Sequence, residues 1–157
     1  QAIGGGNMAE AKKIGRAGIR LAVSLSVVIG VIVWFLREHI IRAYTPDPVI
    51  VGAALPLFLY IAFYQLFDSM QVTTAFVLRA YKVAVVPTVI YAVTLWGVGL
   101  GGGYLLGLDP LGMTPPALRG PSGFWLANSL SLGMVAVGLL AYLRVIQGRA
   151  ARGELSV

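Results

Sequence analysis

Four apolar runs, each long enough to cross a hydrocarbon layer and nearly free of charge, decide what this chain can become. They are Leu21–Leu36, a run from Val49 through Asp68 to about Arg79, Val83–Leu106 and Phe124–Leu143. A hydrocarbon core of about 30 Å takes about 20 residues at a rise of about 1.5 Å each. Inside it no water can satisfy a peptide group, so a span must close its own hydrogen bonds as a helix. Buried strands of a soluble sheet would be shorter and broken by turns every ~8–12 residues. The expected fold is therefore all-α, an integral membrane bundle of about four transmembrane helices. They are expected near residues 8–42, 48–80, 83–106 and 122–147, in a single membrane region over residues 1–157.

Composition agrees. Apolar residues make up 58% and charged ones 11%, with a mean hydropathy of +0.84, against about 25% charged in soluble domains. The net charge of +6 does not point to nucleic acid, because the basic residues sit at the ends of the apolar runs and no aromatic-plus-basic surface stretch is present. Zero cysteines exclude disulfides and thiolate sites, and one histidine argues against a histidine-based metal site. That residue, His39, lies between Glu38 and Ile40 and reads as a solvated loop residue. The opening Gln1-Ala2-Ile3-Gly4-Gly5-Gly6 has neither an initiator Met nor a signal-peptide pattern, so the chain is expected to be a fragment of something longer.

Charge also sets an expected orientation. Lys12, Lys13, Arg16, Arg20, Arg79, Lys82, Arg144, Arg149 and Arg152 fall on one side, against Arg37, Arg42 and Arg119 on the other. The positive-inside rule places both chain ends and the Arg79–Lys82 turn in the cytoplasm. Trp34, Tyr44, Tyr104 and Trp125 then lie near the outer interface, where amphipathic rings settle.

Local signals mark the helix ends. Asn7 and Glu10 have capping-box spacing, Asp47 and Pro48 read as an N-cap and first helical residue, and Gly148 as a C-cap. Pro110, Pro115, Pro116 and Pro121 make residues 108–122 an irregular connection. Pro56 and Pro87, inside spans, should each remove a helix hydrogen bond and bend the helix; a static kink and a hinge are both open. The GxGxxG string from Gly97 to Gly102 follows no strand and lies in a membrane run, so it is no dinucleotide fingerprint. Gly97/Gly101 and Gly99/Gly103 instead have the spacing that lets helices approach closely.

One acid lies inside a span: Asp68. An aspartate at a helix centre costs about 2.5–3.5 kcal/mol on insertion scales, so such a residue faces the bundle interior or a wet cavity and marks an ion or proton path. Tyr64, Gln65, Gln71 and Val72 stand one turn away, and Tyr64, Asp68 and Gln71 can form a polar stripe. A carboxylate at membrane depth can take up a proton, since desolvation penalises its charged form, or bind a hard cation such as Na+ through oxygen ligands. The plainer alternative is that Asp68 and Gln71 glue helices together by hydrogen bonds. Neither an acid–base pair nor a metal cluster is visible, so no catalytic residue, enzyme activity or cofactor is expected.

At this helix the chain becomes recognisable. Tyr64-Gln65-Leu66-Phe67-Asp68-Ser69-Met70-Gln71-Val72, followed by Leu78-Arg79-Ala80-Tyr81-Lys82, resembles the tenth helix of NorM-like multidrug and toxic compound extrusion (MATE) transporters. Gln1 to Asn7 resembles the loop after helix eight, and Phe35–Glu38 through Tyr44-Thr45 the end of helix nine. Trp96, Gly99, Leu100 and Tyr104 resemble helix eleven, and Gly120, Gly123, Phe124, Trp125 and Leu126 the start of helix twelve. Ala80 and Gly101 depart from the family pattern, which often has glycine and proline there.

The resemblance implies the last four helices of a six-helix C-terminal lobe. It implies an antiporter that exports cationic or amphipathic drugs and toxic compounds while Na+ or H+ flows inward, with Asp68 as the cation-coupling residue. The implied partners are small-molecule substrates, the coupling cation, the lipid bilayer and the missing N-terminal helices, in a multi-pass bacterial inner-membrane protein. Two alternatives stay open: a lipid-linked oligosaccharide flippase of the same superfamily, and a small non-transporting membrane subunit.

Overall fold

The computed structural model describes residue 3 and residues 5–154. Residues 1, 2 and 4 of the Gln1–Asn7 resemblance, and residues 155–157, lie outside it. Among the described residues every regular element is helical. Three helical segments are long and apolar enough to cross a bilayer, and a bent pair makes a fourth.

Helix α1 (Met8–Tyr44) starts where the Asn7 side chain accepts the Glu10 N–H at 3.1 Å, while the Asn7 amide donates to the Glu10 carboxylate at 2.9 Å. It ends at extended Thr45, ahead of Pro46. His39 is thus an exposed helical residue and not a loop residue, because the run of helix formers carries α1 past it. In α2 (Pro48–Ala54) the Asp47 side chain accepts from Val49 N–H at 2.9 Å, with Pro48 at a first-turn position that needs no donor.

The second span is broken. Helix α2 meets α3 (Leu57–Ala80) at an angle of 42° across Leu55 and Pro56, since Pro56 brings no N–H to the ladder. The end of α3 is a Schellman turn: Val83 N–H reaches Leu78 C=O and Lys82 N–H reaches Arg79 C=O, with Lys82 left-handed at φ 58°.

Pro87 corrects the sequence reading. It is the third residue of α4 (Val85–Thr94), where a backbone N–H would have no acceptor inside the helix. It removes no ladder bond and is not a kink residue. The irregularity of this span lies further on, in a π-helical segment (Leu95–Gly101) that joins α4 to α5 (Gly102–Leu108). A Cβ on Gly99 would stand 2.8 Å from Ser131 Oγ and 3.2 Å from Asn128 Oδ1, and one on Gly103 would stand 3.0 Å from the Phe124 ring. Gly97 faces open space. Of the two glycine pairs, 99/103 is the one packed on the last helix.

A short 3₁₀ turn (Pro116–Leu118) precedes α6 (Pro121–Ala151). Gly148 is not its C-cap; the helix runs on to Ala151. Glu154 N–H then bonds Arg149 C=O and Gly153 N–H bonds Ala150 C=O, with Gly153 left-handed at φ 72°. Gly153 is the residue that tolerates this conformation without a Cβ clash.

Helix α6 is the hub. Leu132, Val135, Ala136 and Leu139 are fully buried on it, between α3 on one side and the α4–π–α5 span on the other. Helix α1 packs mainly on the outer side of α3. One apolar cluster joins Ala11, Leu78, Tyr81, Ile146 and Ala150. It therefore gathers the start of α1 and the ends of α3 and α6, with their basic residues, at one end of the bundle.

Candidate cation site

Helix α3 presents Asp68, Gln71, Val72, Ala75 and Arg79 along one stripe, in steps of three and four residues that keep them on one helical face. Opposite stand Pro87, Thr88 and Tyr91 of α4. Between them lies a crevice of about 300 Å³. Ala75 leaves space in the middle of the stripe, and the three α4 residues are spaced so that they fall on its first two turns.

The crevice is polar at membrane depth. Asp68 is half-buried, whereas Gln71 is only 7% exposed. The Gln71 Oε1 has no hydrogen-bond partner among the described residues. An amide oxygen buried in this way costs about 1–3 kcal/mol if nothing bonds it. The Thr88 hydroxyl donates to Ala84 C=O at 2.9 Å, which leaves its oxygen free to accept. Asp68, Gln71, Thr88 and Tyr91, each bearing side-chain oxygen, thus line the space. A set of oxygens carrying a single negative charge suits a hard monovalent cation or a proton.

Not every residue expected at the site lines it. Tyr64 stacks edge-on against Trp125, with ring centroids 5.7 Å apart and an interplanar angle of 84°, and so ties α3 to α6. The Gln65 side chain is exposed. Gln71 meets Asp68 at the crevice; Pro56 lies at the α2–α3 break, and Pro87 in the crevice wall. Sequence reasoning missed Thr88 and Tyr91, although a polar pair at i, i+3 on the third span was a readable sign. It also took Arg79 as a topology charge alone.

The helix bearing Asp68 is held on its other faces by three serines. Ser26 Oγ donates to Gln65 C=O at 3.0 Å and Ser69 Oγ donates to Ala22 C=O at 3.1 Å. Each acceptor stands four residues before the partner helix's own serine, so the two bonds form a reciprocal clasp between antiparallel α1 and α3. On the α6 side, Ser129 Oγ donates to Tyr60 C=O at 3.3 Å. A second hollow, of about 350 Å³ between α1 and α3, is apolar apart from Ser26 and is lined by Trp34, Phe35 and Phe63 among others.

At the opposite end of the bundle the α5–α6 connection is pinned by Asp109, left-handed at φ 47°. Its carboxylate accepts from Thr114 N–H at 2.9 Å and pairs with Arg119 at 2.9 Å. The Thr114 backbone donor, with lesser help from the Arg119 charge, holds the Asp109 carboxyl below the usual range.

Comparison with known proteins adds the following. The family model described as MatE matches residues 1–105. A protein of Aromatoleum aromaticum (strain DSM 19018 / LMG 30748 / EbN1) described as "Probable multidrug resistance protein NorM" is 36% identical over 136 residues, which is 85% of this chain. The matched part is 28% of that protein's length.

Proposed function

We propose, from the premise that this chain belongs to the MatE family, that it forms the last four helices of a cation-coupled multidrug antiporter, with Asp68 binding the coupling ion. The observation that carries the reading is the polar crevice between two membrane helices in which Asp68 is joined by Gln71, Thr88 and Tyr91.

The coupling ion, Na+ or H+, is the transported species and not a resident cofactor. Asp68 supplies the charge, and Gln71, Thr88 and Tyr91 supply neutral oxygens. Binding there would favour one arrangement of α3 against α4, and a cationic or amphipathic drug bound elsewhere in the bundle would favour the other. Transport follows when the two ligands bias one bistable structure in opposite directions. The break at Pro56 is where α2 can change its angle to α3. The basic end of the bundle faces the cytoplasm of a bacterial inner membrane by the positive-inside rule.

Asp68→Asn in the full-length transporter tests the assignment. It keeps the shape and removes the charge, so cation-driven drug efflux should fall to the level of cells lacking the protein, with expression retained. Wild-type efflux by this variant would remove Asp68 from the mechanism.

A further inference from the structure

The crevice has a direction. It runs along α3 from Asp68 to Arg79, and α4 borders it only with residues of its first two turns. It therefore connects the carboxylate with the basic end of the bundle, and Arg79 is the lining residue at that end, its guanidinium resting over the exposed Phe76 ring beside the passage. A positive charge at the mouth of a cation path needs a reason. We propose that Arg79 is a tethered counter-charge that weakens cation binding at Asp68 when the crevice is open to the basic end, and so promotes release to that side. The proposal rests on Asp68 being the coupling site.

The geometry gives the size of the effect. The Arg79 guanidinium lies 5.3 Å from the centroid of the Phe76 ring, one turn back toward Asp68, as helical side chains lean toward the N-terminus. From the level of Phe76 to Asp68 is eight residues of sequence, or about 12 Å of rise. Two unit charges at that separation, with an effective dielectric constant of about 20, change a cation's affinity about tenfold at low ionic strength. The exposed guanidinium is screened by salt, so the effect shrinks as ionic strength rises. Arg79 makes no ion pair among those described, whereas Arg42, Arg119 and Arg152 each do. Its charge is therefore not neutralised by a neighbouring carboxylate.

The alternative role for Arg79 is topological: a basic residue at a helix end that keeps the turn in the cytoplasm. Lys82 separates the two. It lies in the same turn and carries the same charge, but it does not line the crevice.

The test uses the full-length transporter in proteoliposomes, with drug efflux titrated against NaCl at fixed pH and against pH at fixed Na+. Whichever ion drives the wild type is the probe. Arg79→Gln should lower the half-saturating concentration of that ion about fourfold at 20 mM ionic strength, where a Debye length of about 20 Å screens part of the tenfold limit, with Arg79→Lys near wild type and Lys82→Gln within twofold. Raising choline chloride to 0.5 M should tighten the wild type and erase most of the difference. An Arg79→Gln value within twofold of wild type overturns the proposal. If that variant does not assemble, a wild-type value unmoved by choline chloride overturns it instead. Asp68→Asn is run alongside: loss of ion response there together with an unchanged Arg79→Gln sinks the counter-charge alone, whereas an unchanged Asp68→Asn sinks the site itself.

Discussion

Removing the two hydroxyls of the α1–α3 clasp should loosen the helix that carries Asp68 by a predictable amount. Ser26 and Ser69 are each a single hydroxyl donating to a main-chain carbonyl across the helix pair, at 3.0 and 3.1 Å. Those carbonyls, of Gln65 and Ala22, are also the acceptors of the helical N–H groups of Ser69 and Ser26. Truncation to alanine therefore leaves no orphaned acceptor, and the cost should stay near the mean for interhelical bonds in membranes, about 0.6 kcal/mol each, with about 1.7 as the ceiling. Ser26→Ala and Ser69→Ala together should lower the unfolding free energy in mixed SDS micelles by about 1.2 kcal/mol. Threonine at both positions keeps the hydroxyls and should restore most of the loss. A double alanine variant within about 0.3 kcal/mol of wild type, inside ordinary additivity error, would refute the clasp as a stabilising contact.

Two further outcomes follow from the geometry. Gly99→Val puts a branched side chain where even a Cβ meets Ser131 Oγ at 2.8 Å, and should destabilise by about 1–3 kcal/mol through overpacking. Gly97→Val, in open space, should be milder in the same unfolding assay, and a larger loss there would contradict the π-segment packing. For the α5–α6 connection the sign comes from Asp109, whose folded carboxyl titrates below its unfolded value. Its contribution is complete above the unfolded carboxylate range and is lost as pH falls through the lower folded value. Hydrogen exchange at the Thr114 amide, measured against its intrinsic rate, should thus be protected at pH 5 and 7 alike; in Asp109→Asn that protection should drop at both.

How much of this was legible beforehand differs by residue. The caps at Asn7 and Asp47 were readable because a cap is a contact between residues two or three apart, fixed by local sequence. Gly148 and Pro87 misled for the same local reason. Glycine permits a helix end but does not require one, and proline breaks a ladder only where a ladder bond exists; Pro87 sits in a first turn. The second span looked continuous, and its break at Pro56 was anticipated as a bend without an angle.

What the sequence determined by itself was the solvent and the helices. Long uncharged runs have no stable alternative in a bilayer, and a lone acid inside one of them has to be explained. Tertiary structure alone decided which polar groups share a space with that acid. Thr88 and Tyr91 come from another helix, Tyr64 stacks on Trp125 without lining the crevice, and Gln71 is left with an unpartnered oxygen. Helical periodicity fixes the face of a residue on its own helix, but not which face of another helix meets it. That choice is made by close packing, through the small residues and serine contacts that set α1, α3 and α6 against one another.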